Sequence, residues 1–155
     1  FFFKLHVPFP SREELHQIIE RTTGEQEAAV DVVLEREAIL DMQRLVRAVP
    51  VAHHVQDYAV RLLQATHPEL TGASGKVRRF VRTGASPRGA QAMLLAAKIR
   101  SLFAGRFAAA IDDIRAVAPP ALRHRILLNF EGEAEGVKTD DVIAELLDEL
   151  PETVR

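Results

Sequence analysis

Apolar residues recur every three to four positions along most of the chain, which is the spacing of amphipathic helices. The spacing predicts helices at about 12–23, 37–48, 52–66, 87–104, 111–118 and 139–150. Residues 1–7 differ, because Phe1, Phe3, Leu5 and Val7 alternate with the intervening side chains as they would along a β-strand. The pattern therefore predicts a mainly α fold, a small helical bundle with minor β content that includes an N-terminal strand.

Short capping signals mark where several of these helices begin. Ser11 followed by Glu14 forms a capping box. Ser86 followed by Pro87 is a typical N-cap with a proline in the first helical position. Thr139 is expected to cap the last helix. These starts are thus predicted from local sequence alone.

Four further segments are assigned from their composition. The helix at 87–104 is apolar on nearly all sides, which is typical of a central helix surrounded by others. Residues 25–36 are expected to form a loop. Pro119-Pro120 is predicted to end the short helix before it and to start another helical turn through Leu122. Residues 126–130 are predicted to form a short strand.

The composition narrows the class of protein. The 155 residues are 47% hydrophobic and 27% charged, which fits one globular domain. The net charge of −2 predicts no general attraction to nucleic acid or membranes. The absence of cysteine excludes disulfides and thiolate metal sites and fits a cytoplasmic protein, and no signal peptide or membrane-spanning stretch is found. Because the chain opens on Phe1 without a methionine, we interpret it as a piece of a longer protein.

The chain contains no complete catalytic motif. Neither G-x-x-x-x-G-K-[ST] nor H-E-x-x-H is present. The six histidines are scattered, and the adjacent His53 and His54 would diverge by about 100° on a helix, so no metal site is expected. Glu131, Glu133 and Glu135 are interpreted as a solvated acidic loop.

The sharpest candidate for chemistry is Arg88, in the first turn of the predicted central helix. Helix N-termini attract anions, and a guanidinium is a planar, permanently charged donor suited to phosphate. A helix that is apolar on all sides would hold this arginine in a fixed orientation. The alternative from physics alone is a merely solvated arginine, because a cation in the first turn is mildly unfavourable.

Two basic clusters are weaker candidates. The first is a run formed by Lys76, Arg78, Arg79 and Arg82. The second is Arg123 with Arg125, for which a contact between subunits is one interpretation and a solvated surface the other. With Arg88, the first run leaves open a helical nucleic-acid-binding domain, and a plain protein-interaction module is a further alternative.

The order of these segments resembles the C-terminal part of MoxR-family AAA+ ATPases, over nearly the whole chain. The matching segments are residues 1–10, 11–15, 43–49, 84–88 and 122–126, with the Glu-rich segment that ends at Gly136. The stretch Gly84-Ala85-Ser86-Pro87-Arg88 is the most specific of them and resembles the sensor-2 motif of the family. One departure is Leu34-Glu35, where the family often has a serine cap.

The resemblance implies roles for individual residues and boundaries. Residues 1–10 would be the last strand of the AAA+ core and its linker, and residues 11–155 the helical lid. Arg88 would reach the γ-phosphate of ATP, with Gly84, Ser86 and Pro87 shaping the helix start that carries it.

The resemblance also implies what the whole protein would do. It would be a cytoplasmic ATPase that uses ATP and Mg²⁺ for chaperone-like remodelling or maturation of protein complexes. It would work as a ring oligomer with a partner that carries a von Willebrand A domain, without nucleic acid or membrane. The Walker motifs would lie outside this chain, so the chain alone would bind no nucleotide and be inactive.

Overall fold

The computed structural model describes residues 1–25 and 30–153, which form eight helices and two short strands. The helices are α1 (Arg12–Thr23), α2 (Arg36–Ala48), α3 (His53–Ala65), α4 (Gly75–Phe80), α5 (Pro87–Phe103), α6 (Ile111–Leu122), α7 (Phe130–Ala134) and α8 (Thr139–Glu149). The strands are β1 (Val81–Thr83) and β2 (Leu127–Leu128), which pair antiparallel. The prediction of a mainly α bundle with minor β content is confirmed. No helix in the described part of the chain is both long and apolar enough to cross a membrane.

The core lies around α5, as its apolar sequence predicted. α5 packs against α6, α3 and α2, while α8 closes the bundle against α6. The largest fully buried side chains include Tyr58, Leu62, Met93, Ile114, Leu122, Ile143 and Leu146. A β-carbon on Gly89 would lie 2.9 Å from Leu122 and 3.0 Å from Leu63, so the glycine allows α5 to approach α6 and α3 closely.

The capping signals are confirmed in part. In α1, Glu14 N–H donates to Ser11 Oγ over 3.2 Å and Ser11 N–H donates to the Glu14 carboxylate over 2.7 Å, which completes the capping box. Ser86 occupies the N-cap position of α5, but its hydroxyl accepts no capping hydrogen bond within the described residues. The Thr139 assignment is wrong, because Lys138 is the N-cap residue and Thr139 already lies inside α8.

The predicted helix end at Pro119-Pro120 is also wrong, because α6 continues through both prolines, but the helical turn predicted through Leu122 is confirmed. A proline inside a helix removes one backbone hydrogen bond and strains the preceding turn. Here the turn beyond the prolines carries Ala121 and Leu122, which are fully buried. Burial of these apolar side chains therefore offsets the local cost of the prolines.

The segments flanking the small sheet were assigned incompletely from sequence. The basic residues at 76–83 form α4 and β1, which the sequence pattern had left without an element. The strand predicted at 126–130 is shorter, since only Leu127–Leu128 pairs with β1 and Phe130 begins α7. Both strands are too short to show the alternation from which strands are recognised in sequence.

The N-terminal quarter of the chain is organised differently from the rest. Residues 1–10 form no strand within the described structure, although their alternation predicted one. None of the described side chains of α1 or α2 is buried. The loop expected at 25–36 agrees with the structure at 30–35, while 26–29 lie outside the described residues. The buried side chains all belong to the stretch from Val49 to Leu146.

Candidate functional site

Arg88 is the second residue of α5, and its side chain is exposed. Within the described residues, its guanidinium forms neither a hydrogen bond nor an ion pair, in contrast to most arginines of this bundle. Arg88 is thus held on a central helix with its charge free to meet an anion from outside the chain. A helix N-terminus adds free N–H groups and a partial positive charge at the same place.

The loop that precedes Arg88 is anchored to the end of α3 by two side chains. Ala85 N–H donates to Thr66 Oγ1 over 2.9 Å, and Thr66 is fully buried. His67 Nε2 lies 3.0 Å from the carbonyl oxygen of Ala85. Because a carbonyl only accepts, Nε2 must carry the proton in this bond. The N–H and the carbonyl oxygen of Ala85 are therefore both hydrogen-bonded, the first to Thr66, the C-cap residue of α3, and the second to His67, the next residue.

Gly84 brings the same loop into direct contact with this anchor. A β-carbon at Gly84 would lie 2.6 Å from His67 Cδ2 and 2.7 Å from the Thr66 carbonyl oxygen. Contacts of that length do not occur for real β-carbons, so only glycine fits without a shift of the backbone. The sequence had marked Gly84 as part of the helix start, and the structure supplies the physical reason.

The first turn of α5 completes the geometry around Arg88. Pro87 takes the first helical position, where its missing N–H costs nothing, and Gly89 N–H donates to the Ser86 carbonyl oxygen over 2.7 Å. Since Gly89 is also packed tightly against α3 and α6, the turn is fixed on both sides of Arg88. The loop, the turn and the helix therefore present this arginine as one rigid unit.

Comparison with known proteins identifies the family. Residues 76–146 match the AAA lid domain family, a stretch that includes the whole of this site. The chain is 34% identical to the chaperone MoxR1 of Mycobacterium tuberculosis and 30% identical to YeaC of Bacillus subtilis, each over 95% of its length. This chain is the lid region of a MoxR-family AAA+ ATPase. The resemblance on which the prediction of the family rested is confirmed.

A solved structure supports the same assignment for the MoxR-type lid. A crystal structure of a protein from Cytophaga hutchinsonii, assigned as an ATPase, matches 99% of the chain with a TM-score of 0.87 and 26% identity. The lid chain covers 47% of that protein, 39% of MoxR1 and 43% of YeaC. The chain therefore spans less than half the length of the relatives it matches.

The basic run is largely engaged inside the lid. Lys76 Nζ lies 3.1 Å from Glu145, and Arg79 contacts Glu131 over 2.7 Å and Glu135 over 2.6 Å. Arg78 donates to the main-chain oxygens of Ala73 and Thr71, and only Arg82 of this run has no such partner among the described residues. Glu131, Glu133 and Glu135 are exposed, as interpreted, but they do not form a loop, because Glu131 and Glu133 lie in α7 and Glu135 is its C-cap residue. The charge available to bind phosphates of nucleic acid is correspondingly small.

Arg123 and Arg125 point away from the Arg88 site and toward the N-terminal segment. Arg123 donates to Asp140 Oδ1 over 2.9 Å and to the Lys4 carbonyl oxygen over 3.0 Å. Arg125 donates to the Phe1 carbonyl oxygen over 2.7 Å. Unlike Arg88, both arginines are therefore engaged by the lid and the N-terminal segment. A contact of these arginines with another subunit stays a prediction.

Thr66 and His67 are the site residues that sequence reasoning missed. They lie 19 and 18 residues before Ala85 in the chain, respectively, and carry no motif of their own. His67 had been grouped with the ordinary histidines. The tight turn required by Gly84 was the available hint that something packs closely there, but it did not say what. Among the described residues, no three His, Asp or Glu side chains come together as metal ligands.

Proposed function

We propose that this lid responds to ATP through Arg88, acting as sensor 2 in a larger MoxR-type ATPase. The observation that carries the proposal is the exposed guanidinium without a partner within the described structure, set on a helix start that is fixed from both sides. Because the backbone around Arg88 is fixed, binding of a phosphate would restrict only the rotamers of this side chain. The family assignment supports a nucleotide as the source of that phosphate.

The proposed mechanism uses the lid as a moving part. ATP and Mg²⁺ would be held by the AAA+ core of the whole protein, and Arg88 would contact the γ-phosphate from the lid side. Loss of the γ-phosphate on hydrolysis would remove this contact and release the lid to a different position. Because the Arg88 loop is bonded to α3 and α5 lies at the centre of the core, the whole bundle would follow the arginine.

The proposed cellular role follows the family. In this proposal the lid movement drives chaperone-like remodelling or maturation of other protein complexes. The whole protein would act in the cytoplasm as a ring oligomer, with a partner that carries a von Willebrand A domain. Support for this role comes from the name of MoxR1, a chaperone that is 34% identical to the chain.

The decisive experiment replaces Arg88 in the full-length protein. We expect Arg88→Ala to lower the kcat of ATP hydrolysis by about 100-fold or more, the loss typical of one positioned donor to a developing charge. Arg88→Lys is expected to recover only part of the rate, because an ammonium cannot reproduce the planar fork. Circular dichroism and the melting temperature should stay close to those of the unmodified protein.

Arg36→Ala is the matched control. Arg36 is likewise an exposed arginine in the first turn of a helix, with no hydrogen bond or ion pair in the described structure. Its removal changes the charge at a helix start in the same way but should leave ATP turnover unchanged. Equal turnover of the Arg88→Ala and Arg36→Ala proteins would overturn the sensor role.

A further inference from the structure

The N-terminal segment lies on the lid through its main chain. Lys4 N–H donates to the Pro120 carbonyl oxygen over 2.9 Å, while the Lys4 carbonyl oxygen accepts from Arg123 over 3.0 Å. The Phe1 carbonyl oxygen accepts from Arg125 over 2.7 Å. The structure therefore shows this segment packed on the lid. These contacts involve only backbone atoms of the segment.

Both arginines are oriented in advance by the lid itself. Arg123 Nε donates to Asp140 Oδ1 over 2.9 Å, and the Arg123 side chain is only 13% exposed. Arg125 Nε donates to the Ala121 carbonyl oxygen over 2.8 Å. Each guanidinium therefore donates one N–H group to the lid and another to the segment. Such a fixed fork loses little entropy when it binds a carbonyl.

The segment is also held by an apolar contact. Phe2 lines a groove of about 730 Å³ between α2 and α5. The other apolar residues around this groove are Ile39, Met42, Leu45, Val46, Leu95, Ile99, Leu102 and Phe103. Main-chain hydrogen bonds on one side and an aromatic ring on the other therefore fix both the position and the direction of residues 1–4.

His124, between the two arginines, gives the segment a reporter. Both ring nitrogens of His124 are buried and have no hydrogen-bond partner within the described structure. Burial lowers the pKa of His124 below its ordinary value of 6.5, and the charge of Arg125 lowers it further. The Phe1 backbone and the Lys4 charge also act on this imidazole, so it lies beside the segment.

We propose that Arg123 and Arg125 are positioning residues that latch residues 1–4 onto the lid, so that the connection to the ATPase core moves with the lid as one body. The inference rests on the proposed function and on the expectation that residues 1–10 hold the last strand of the core and its linker. The latch makes the segment follow the lid instead of acting as a free joint. Movement of Arg88 with the nucleotide would then be transmitted to the core through this segment.

The latch is tested in this chain by distance measurement between two spin labels. The chain has no cysteine, so two introduced cysteines can be labelled selectively. The labels are placed at Val7→Cys, since Val7 is 87% exposed, and at Ala144→Cys on α8. We expect one narrow distance peak that is lost in the Arg123→Gln/Arg125→Gln double variant and kept in Arg36→Gln. The NMR-measured pKa of His124 is followed in Lys4→Pro, which keeps the charge of Arg125, and should rise toward 6.5 there as the segment leaves.

Lys4→Pro provides a second variant that leaves the lid untouched. It removes the N–H that binds Pro120 together with an exposed ammonium, and because Lys4 is exposed the bundle should stay folded. We expect the narrow peak to be lost here as well. An unchanged peak in both the double variant and Lys4→Pro would overturn the latch.

The functional part of the inference is tested by ATP turnover of the full-length protein. The Arg123→Gln/Arg125→Gln variant should lower kcat about 5-fold to 10-fold, at the lower end of ordinary coupling energies, with the KM for ATP unchanged. An unchanged kcat would refute the coupling. Full turnover in Arg88→Ala would instead refute the proposed function, while the spin-label result on the latch would still stand.

Discussion

At the scale of single residues, the position of Arg88 is decided by side chains that lie outside its own helix. Thr66 and His67 bind the two backbone polar groups of Ala85, three residues ahead of the arginine. Buried backbone groups that lose such partners cost about 1–3 kcal/mol each, so the loop has little freedom to adopt another path. The backbone position from which Arg88 projects is therefore fixed by contacts inside the bundle.

Gly84→Ala tests whether this close contact is required. The added β-carbon would lie 2.7 Å from the Thr66 carbonyl oxygen, so the loop or the end of α3 must move. We expect the free energy of unfolding to fall by about 1–3 kcal/mol, as in other overpacked sites. We also expect the ATP turnover of the full-length protein to fall, because the loop carries Arg88. Chemical denaturation and a steady-state ATPase assay measure the two effects.

Gly75→Ala is the control for this substitution. A β-carbon on Gly75, in the first turn of α4, would meet nothing within 4 Å. An alanine there should leave stability unchanged or raise it slightly, since alanine restricts the unfolded chain more than glycine does. Equal stability of the Gly84→Ala and Gly75→Ala proteins would show that the contact with His67 and Thr66 is not close in solution.

The residues of the site that could be predicted are those with local signals. Ser86, Pro87 and Arg88 follow one another, and the preference of each for a helix start can be read from the sequence alone. Thr66 and His67 act across a separation of 18 to 19 residues, and their contacts depend on how α3 packs against α5. Sequence patterns describe the spacing of residues along one element, so they could not predict these contacts between two elements.

At the scale of elements, a buried carboxylate joins the start of α6 to the end of α5. Asp113 accepts from Arg106 Nη1 over 2.8 Å and from Nη2 over 2.6 Å, and also from Ala110 N–H over 2.9 Å. Arg100, in the last turn of α5, lies 3.4 Å away. The Asp113 side chain is 2% exposed, so these contacts replace nearly all of its hydration.

The same contacts set the protonation of Asp113. Burial raises the pKa of this carboxyl, but the hydrogen bonds from Arg106 and Ala110 outweigh it, with help from the charges of Arg106 and Arg100. The pKa of Asp113 in the folded lid therefore lies below its ordinary value of 3.8. The unfolded chain takes up this proton first as the pH falls, so the stabilisation is present above pH 3.8 and is lost as the pH falls through the folded pKa.

Asp113→Ala tests this element contact. We expect the free energy of unfolding at pH 7 to fall by about 2 kcal/mol, because the buried Ala110 N–H and one face of Arg106 lose their partner. The difference from the unmodified chain should shrink below pH 3.8, where that chain also loses the carboxylate. Urea denaturation at a series of pH values measures both. Asp112→Ala, an exposed carboxylate in the same turn, should show no comparable loss at pH 7.

Helices with a strong periodicity of apolar residues were predicted well. Helices whose bounds depend on contacts with residues far away in the chain were not. The stripe of apolar residues placed α2, α3 and α5 within one residue of their observed bounds. α6 extends four residues beyond its predicted end, because the burial of Ala121 and Leu122 in the core outweighs two prolines. α4 and α7 are each six residues or fewer, and they are held by Arg79 and its two glutamates rather than by periodicity.

At the scale of the whole molecule, burial is divided unevenly along the chain. The fully buried side chains belong to α3–α6 and α8 and to the loops between them. The apolar stripes of α1 and α2 stay in contact with solvent: Ile19 is 55% exposed and Leu45 is 57% exposed. Local stability follows the number of buried apolar contacts, so the lid should open in parts before it unfolds as a whole.

Amide hydrogen exchange of this chain can measure this difference in local stability between the helices. We expect the amides of α5 and α6 to exchange only through global unfolding, which costs about 5–15 kcal/mol for a domain of this kind. The amides of α1 should exchange with almost no protection, and those of α2 at an intermediate rate, because α2 packs on α5 and accepts a hydrogen bond from Lys98 at the Arg47 carbonyl. Protection of α1 equal to that of α5 would mean that its apolar stripe is covered in solution. In that case the boundary between the stable bundle and its N-terminal attachments would lie before Ser11 and not at Val49.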